Sequence, residues 1–165
     1  MKFFPIEDFY IISSYKPIEI QLSLEKEVTL RNNSLLGLFL PSGNTYFEGY
    51  SVNGFFEIQP IIKGRNSFVP QIKGRTEPYL NGSRIHVKMN MMSGVFAFTC
   101  IWIGLALLLG FGFLFQSIRE HDFSLAALVP FGMALFAYML ALGGFKFESI
   151  DAKEKLLNIF DGTID

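Results

Sequence analysis

Two stretches of the chain show no polar rhythm at all. Residues 95–115 and 125–145 are each 21 residues long and hold no Asp, Glu, Lys, Arg or His. As α-helices each would measure about 31 Å, close to the hydrocarbon thickness of a bilayer. The first run contains thirteen Val, Ile, Leu or Phe residues, which at about 0.3 to 0.6 kcal/mol apiece favour insertion by roughly 4 to 8 kcal/mol. Burying both runs on every side as core helices would take far more protein than the chain of 165 residues supplies. The pattern therefore predicts a transmembrane hairpin with spans 95–115 and 125–145. Pro130 is placed to kink or start the second helix, and the small pairs Ala106/Gly110 and Ala137/Ala141, each four apart, suit close helix contact.

Elsewhere the apolar positions recur with period two. Residues 45–52 and 55–62 flank Asn53-Gly54, a two-residue turn signal in which both residues take positive φ. Counting outward pairs Ser51 with Phe56, Gly49 with Ile58 and Phe47 with Pro60, with Gly49 leaving room for a large neighbour. A second hairpin is expected at Asn81-Gly82, after which Ile85, Val87 and Met89 should be buried and Arg84, His86 and Lys88 wet. That turn sets Arg75 opposite Lys88 and Glu77 opposite His86. Residues 9–13 and 34–40 also read as strands, and 17–28 as a helix with Pro17 in its first turn, although Ile18, Ile20, Leu22 and Leu24 also alternate as a strand would.

After the second span, Phe145 and Phe147 alternate with Lys146 and Glu148, which predicts a strand over 145–149. Asp151 and Glu154 then read as a capping box for a short helix ending near Gly162. A short outer loop returns the chain close to where it left, so 84–89 and 145–149 are expected to pair as antiparallel strands. The fold class is α+β: an antiparallel-sheet domain with one or two helices, formed by residues 1–94 and 146–165 and interrupted by the two-helix hairpin.

Charge refines the picture. Fourteen basic against fifteen acidic residues leave a net charge of −1, without the overall basic field of a nucleic-acid binder. Arg75, Arg84 and Lys88 precede the first span, Lys146, Lys153 and Lys155 follow the second, and only Arg119 lies between them. That bias puts both termini on the cytoplasmic side of a plasma membrane. Met1 to Tyr15 is broken by Pro5, Glu7 and Asp8 and does not read as a secretion signal. Residues 60–90 carry six basic side chains and one acidic, against four and seven on either side. Within them P-x-I-K-G-R occurs twice, at 60–65 and 70–75. Lys63, Arg65, Lys73, Arg75, Arg84 and Lys88 are the candidates for contact with anionic lipid, each contributing on the order of 1 kcal/mol beside a headgroup; the alternative is a solvated strand face that only sets topology.

Catalytic chemistry is not expected. A single Cys and two His exclude a Cys-rich metal site, no cofactor motif is present, and His86 reads as a wet strand residue beside Glu77. Spans without ionisable groups disfavour a stand-alone transporter.

The segments FEGYSVNGFFEIQPIIKGRNSFVPQIKGR, NGSRIHVKMN and GFKFES, with FEG at 47–49 and RNSF at 65–68 as their best marks, resemble a group of bacterial membrane proteins in which a transmembrane hairpin interrupts a cytoplasmic β-rich domain. The resemblance implies that topology and a strand-helix start, and it implies no activity. The order of elements is also similar to helix-grip lipid-binding domains and, less well, to pleckstrin-homology-like barrels, although the final helix expected here is shorter than a helix grip uses. The expectation is a membrane-anchored binding or scaffolding module whose partner is lipid or another membrane protein. Its alternatives are a carrier of lipid or a small apolar ligand, and an accessory subunit of a larger membrane complex.

Overall fold

A computed structural model describes residues 4–30, 45–61, 66–120 and 125–165. The strands and helices run in the order β1 (Ile6–Ser13), α1 (Pro17–Glu27), β2 (Val28–Leu30), β3 (Phe47–Val52), β4 (Phe55–Pro60), β5 (Pro70–Tyr79), β6 (Gly82–Met91), α2 (Ser93–Glu120), α3 (Val129–Phe160) and β7 (Gly162–Ile164), with one 3₁₀ turn at Leu125–Leu128 before α3. The seven strands form one sheet in the order β2-β3-β4-β5-β6-β1-β7, antiparallel except for the β2–β3 pair. The fold is α+β. The strand expected at 34–40 lies outside the described residues.

The β3–β4 hairpin has the expected register, with Ser51 opposite Phe56, Gly49 opposite Ile58 and Phe47 opposite Pro60. Asn53 and Gly54 both take positive φ, 52° and 77°, as the tight turn requires. The room for a large neighbour comes from a different glycine. A Cβ on Gly74 would stand 2.0 Å from the Phe56 ring, so it is Gly74 that lets this ring lie flat on β5. At Gly49 the constraint is backbone: φ is +151°, and a Cβ would meet the Glu57 carbonyl oxygen at 2.1 Å.

The β5–β6 hairpin turns one step earlier than Asn81-Gly82. Tyr79 pairs with Gly82, which leaves Leu80 and Asn81 in the loop, with Leu80 at a φ of 49°. Arg75 therefore faces His86, Glu77 faces Arg84 and Lys73 faces Lys88. The shift is two residues, and a slip by two leaves every side chain on its original face. The alternation of Ile85, Val87 and Met89 inward thus holds while offering no means of telling the registers apart. What fixes Gly82 in the strand is the end of β1: a Cβ there would lie 2.1 Å from the Ser13 carbonyl oxygen.

The helix reading of 17–28 is correct over Pro17–Glu27. The Glu19 carboxylate accepts a hydrogen bond from the Lys16 backbone N–H at 2.7 Å, and Ile20 and Leu24 turn onto the sheet.

The expected strand at 145–149 does not exist. These residues are the middle of α3, which runs unbroken for 32 residues, about 48 Å. Nor is there a place for such a strand, because β6 is flanked by β5 and β1. The alternation of Phe145, Lys146, Phe147 and Glu148 has a helical solution: Phe145 and Glu148 turn inward while Phe147 is 69% exposed. A helix already formed through the second span extends at one hydrogen bond per residue, without the cost of a new nucleus. Asp151 and Glu154 consequently lie exposed inside a running helix and cap nothing, and the short final helix is the C-terminal half of α3. The helix ends at Asp161, which takes a left-handed conformation and donates its N–H to the Leu157 carbonyl. The chain then adds β7 beside β1.

A single core unites the segments on either side of the hairpin. Ile11, Ile20, Leu24, Phe47, Phe56, Ile58, Ile72, Ile85, Val87 and Met89 pack with Phe145, Ala152, Leu156 and Phe160 of α3. The Ser13 hydroxyl donates to the Phe160 carbonyl at 2.5 Å. The other half of α3 meets α2, whose Ala106 and Gly110 are its buried residues. The Phe131 ring covers Gly110 and meets Phe111 edge-on at 5.4 Å. Pro130 starts α3. By length and composition α2 and α3 are able to cross a membrane.

Candidate functional site

Helices α1 and α3 cover one face of the sheet, and the alternate side chains form the other. Across the middle of this open face runs the row Val52, Phe55, Arg75, His86 and Tyr10, contributed by β3, β4, β5, β6 and β1 in turn. The next row is Tyr50, Glu57, Lys73, Lys88 and Asp8. Exposed apolar and aromatic side chains are interleaved with the charges: Tyr50, Val52, Phe55, Tyr79 and Tyr10 are 38 to 55% exposed.

Of the six basic candidates, Lys63 and Arg65 lie outside the described residues, and the other four share this face. Each has a carboxylate partner. Lys73 Nζ is 3.2 Å from Glu57, Arg75 Nε 3.0 Å from Glu77, Arg84 3.0 Å from Asp165 and Lys88 Nζ 3.4 Å from Asp8. The facing lysines, Lys73 and Lys88, are thus neutralised from the two outer strands, and nothing external is needed between them. Segment charge could not reveal this, since three of the four acids, Asp8, Glu57 and Asp165, come from other parts of the sequence. The arginines also lie over rings: Arg84 is 4.1 Å from the Tyr10 centroid and Arg75 5.1 Å from that of Phe55.

His86 stands opposite Arg75 and not Glu77. Its Nε2 is 2.6 Å from Asp8 Oδ1, and its ring stacks on Tyr10 at 4.5 Å. The hydrogen bond to His86, followed by that to Lys88, holds the Asp8 carboxyl below its ordinary pKa despite some burial. On the same face, the Tyr50 hydroxyl donates to Glu57 at 3.0 Å, and that bond raises the Tyr50 pKa. Glu48, Tyr50, Glu57, Gln59 and Gln71 edge a recess of about 50 Å³, well below the few hundred Å³ of a ligand pocket. Among the described residues no three His, Cys, Asp or Glu side chains come together as a metal site would need.

One charge cluster, on the covered face, was missed by the sequence reading. Glu7 points inward from β1 and is 14% exposed, with Lys146 and Lys153 of α3 each 2.5 Å from its carboxylate oxygens. Lys153 also lies 4.4 Å from the Phe9 ring centroid. Burial acts to raise the Glu7 pKa, but the hydrogen bonds and charges of Lys146 and Lys153 prevail and lower it. The clue was spacing: seven residues, about two helical turns, put Lys146 and Lys153 on one face of α3. Two residues after Lys146, the Asn66 amide donates to Glu148 at 2.7 Å.

Comparisons with protein-family models, with curated proteins and with solved structures found no match.

Proposed function

We propose that the chain is a non-catalytic binding or scaffolding module, held on a plasma membrane by its helical hairpin and offering the open sheet face to a protein partner on the cytoplasmic side. The observation that carries the anchor is α3, a single helix whose first half is apolar and bare apart from its contact with α2, and whose second half sets one side into the core against the sheet. The open face supports the docking role. Its Tyr, Phe and Arg residues are the types enriched where proteins meet, and its charges already balance, so a partner would approach a mixed surface without a strong field of one sign.

Anionic lipid contact is less well supported at Lys73, Arg75, Arg84 and Lys88, because carboxylates within 3.4 Å cancel their fields well inside a Debye length of about 8 Å. The carrier reading is also weaker. Among the described residues, Phe47, Phe145, Phe160, Ile58 and Leu156 are fully or almost fully buried between sheet and helices, where a carrier would keep a cavity.

The test places a photo-crosslinking residue at Phe55, or at Leu22 on α1 as a control, in the full chain in its native membrane. The expected result is a discrete protein adduct at position 55 that Arg75→Glu abolishes and that position 22 never forms. Equal adduct patterns at 55 and 22 would refute the docking face. A parallel comparison of the full chain in neutral and acidic nanodiscs, with Lys63→Glu and Arg65→Glu, tests the lipid reading.

A further inference from the structure

Charged side chains first appear at different heights on the two sides of α3. On the side facing the sheet they begin at Lys146: Lys146, Glu148 and Lys153, with Ser149, are turned inward among the core residues Phe145, Ala152, Leu156 and Phe160 and are occupied by Glu7, Asn66 and backbone. On the opposite side Phe136, Leu140, Phe147 and Ile150 remain bare, with Phe147 at 69% and Ile150 at 61% exposure. Polarity begins there only at Asp151 and Glu154. The outer side thus stays free of charge for five residues longer than the inner one, about 7 Å of helix.

The same height is reached from the other side of the domain. Pro5 accepts a hydrogen bond from the Met91 backbone N–H, so the exposed Phe4 and Ile6 stand beside the exposed Met92, where β6 runs into α2. Length agrees. From Leu125 to Ile150 the second arm measures about 41 Å, and α2 from Ser93 to Ile118 about 39 Å. Two antiparallel helices that cross one slab need such a match, and ending the second arm at Phe145 shortens it to about 33 Å.

We propose that the domain is sunk into the bilayer surface: Phe147 and Ile150 on one side, and Phe4, Ile6 and Met92 on the other, form a rim that contacts lipid at the boundary between headgroups and acyl chains. The partner is the lipid of the leaflet from which the hairpin emerges. The surface is continuous with the bare sides of the two helices, and the ionic groups at that height point away from it. The inference rests on the reading of the hairpin as membrane-spanning.

Spin labels read both. The full chain carries Cys100→Ser, since Cys100 is its free and exposed cysteine, and a single new cysteine at Phe147, Ile150, Leu109 or Leu22. In liposomes of neutral lipid, accessibility to oxygen relative to a water-soluble nickel chelate is measured at each site. The expected ratio at 147 and 150 is several-fold above that at Leu22, which is exposed on α1 away from the rim, and approaches that at Leu109 in the middle of α2. Labels at 147 and 150 that match Leu22 while Leu109 is in lipid overturn the rim alone. A wet label at Leu109 overturns the membrane reading and the rim with it. Labels at 147 and 150 shielded from both reagents indicate a protein contact and also overturn the lipid rim.

Discussion

Glu7 ties the sheet to α3 through Lys146 and Lys153, and replacing it tests whether that tie holds the two together. Glu7→Gln keeps the volume and removes the charge. Two ammonium groups at 2.5 Å have a gross attraction of several kcal/mol each at an effective dielectric constant of about 20. Desolvation of three ions cancels most of it. Lys146 and Lys153 keep 32% and 26% of their side-chain surface, so without Glu7 they can partly reach water, and the net loss is put at about 2 kcal/mol, below the penalty of stranding a fully buried ion. The sign of the pH effect comes from the lowered Glu7 pKa. A carboxyl depressed in the folded state contributes stability above its unfolded value and loses that contribution as pH falls through the folded one. Wild type should therefore lose stability, relative to Glu7→Gln, below about pH 4.5. The assay is hydrogen exchange of the β1 amides in the full chain in nanodiscs, from pH 7 down to pH 3, with exchange corrected for its intrinsic pH dependence. Equal β1 protection in the two proteins at pH 7, or parallel pH profiles, would mean that Glu7 does not hold the sheet to α3.

Three further substitutions probe other parts of the architecture. Phe145→Ala removes a fully buried ring where α3 enters the core and should cost about 3 to 5 kcal/mol, read as increased proteolysis of the domain with both spans still membrane-inserted. Gly74→Ala drives a methyl into the Phe56 ring and should cost about 1 to 3 kcal/mol; adding Phe56→Leu should restore part of the loss of thermal stability, and an unchanged or larger loss in the double variant counts against the clash. Ser149→Pro removes a helical hydrogen bond in the middle of α3, at a cost of about 3 kcal/mol or more. Paired spin labels on the span and on α1 should then show a broadened distance distribution, whereas an unchanged narrow one would mean that α3 is not what couples them.

The legible parts of this fold were those in which one local signal decides the outcome. Asn53-Gly54 fixed a register because both residues must take positive φ, and 21 uncharged residues fixed each long apolar helix. The β5–β6 register was not legible, because a two-residue slip conserves faces and the deciding contact, Gly82 against Ser13, spans 69 positions. Residues 145–149 were misread because a period-two pattern of four residues also fits a helix with one side in a core and the other bare. The four basic candidates among the described residues share one face, but their partners were not legible: charge counted along the chain cannot show that Asp165 comes to Arg84 across a sheet.

The continuity of α3 changes what the hairpin is to the domain. Had the chain crossed into a strand at Lys146, hinge residues would have separated span from sheet, and the domain could have swung on its anchor. A helix that gives one stripe first to α2 and then to the sheet allows no such hinge without breaking hydrogen bonds in its interior. Gly143 and Gly144 are where flexibility would be expected, yet α3 passes through both, and Phe68 packs where a Cβ on Gly144 would stand. Orientation of the sheet relative to the spans is therefore set by the same side chains that make the core, Phe145 above all. Any partner that tilts the domain must tilt the helical hairpin as well. On the proposed reading, a surface so coupled passes force on docking to the two long apolar helices, which a flexible tether would absorb.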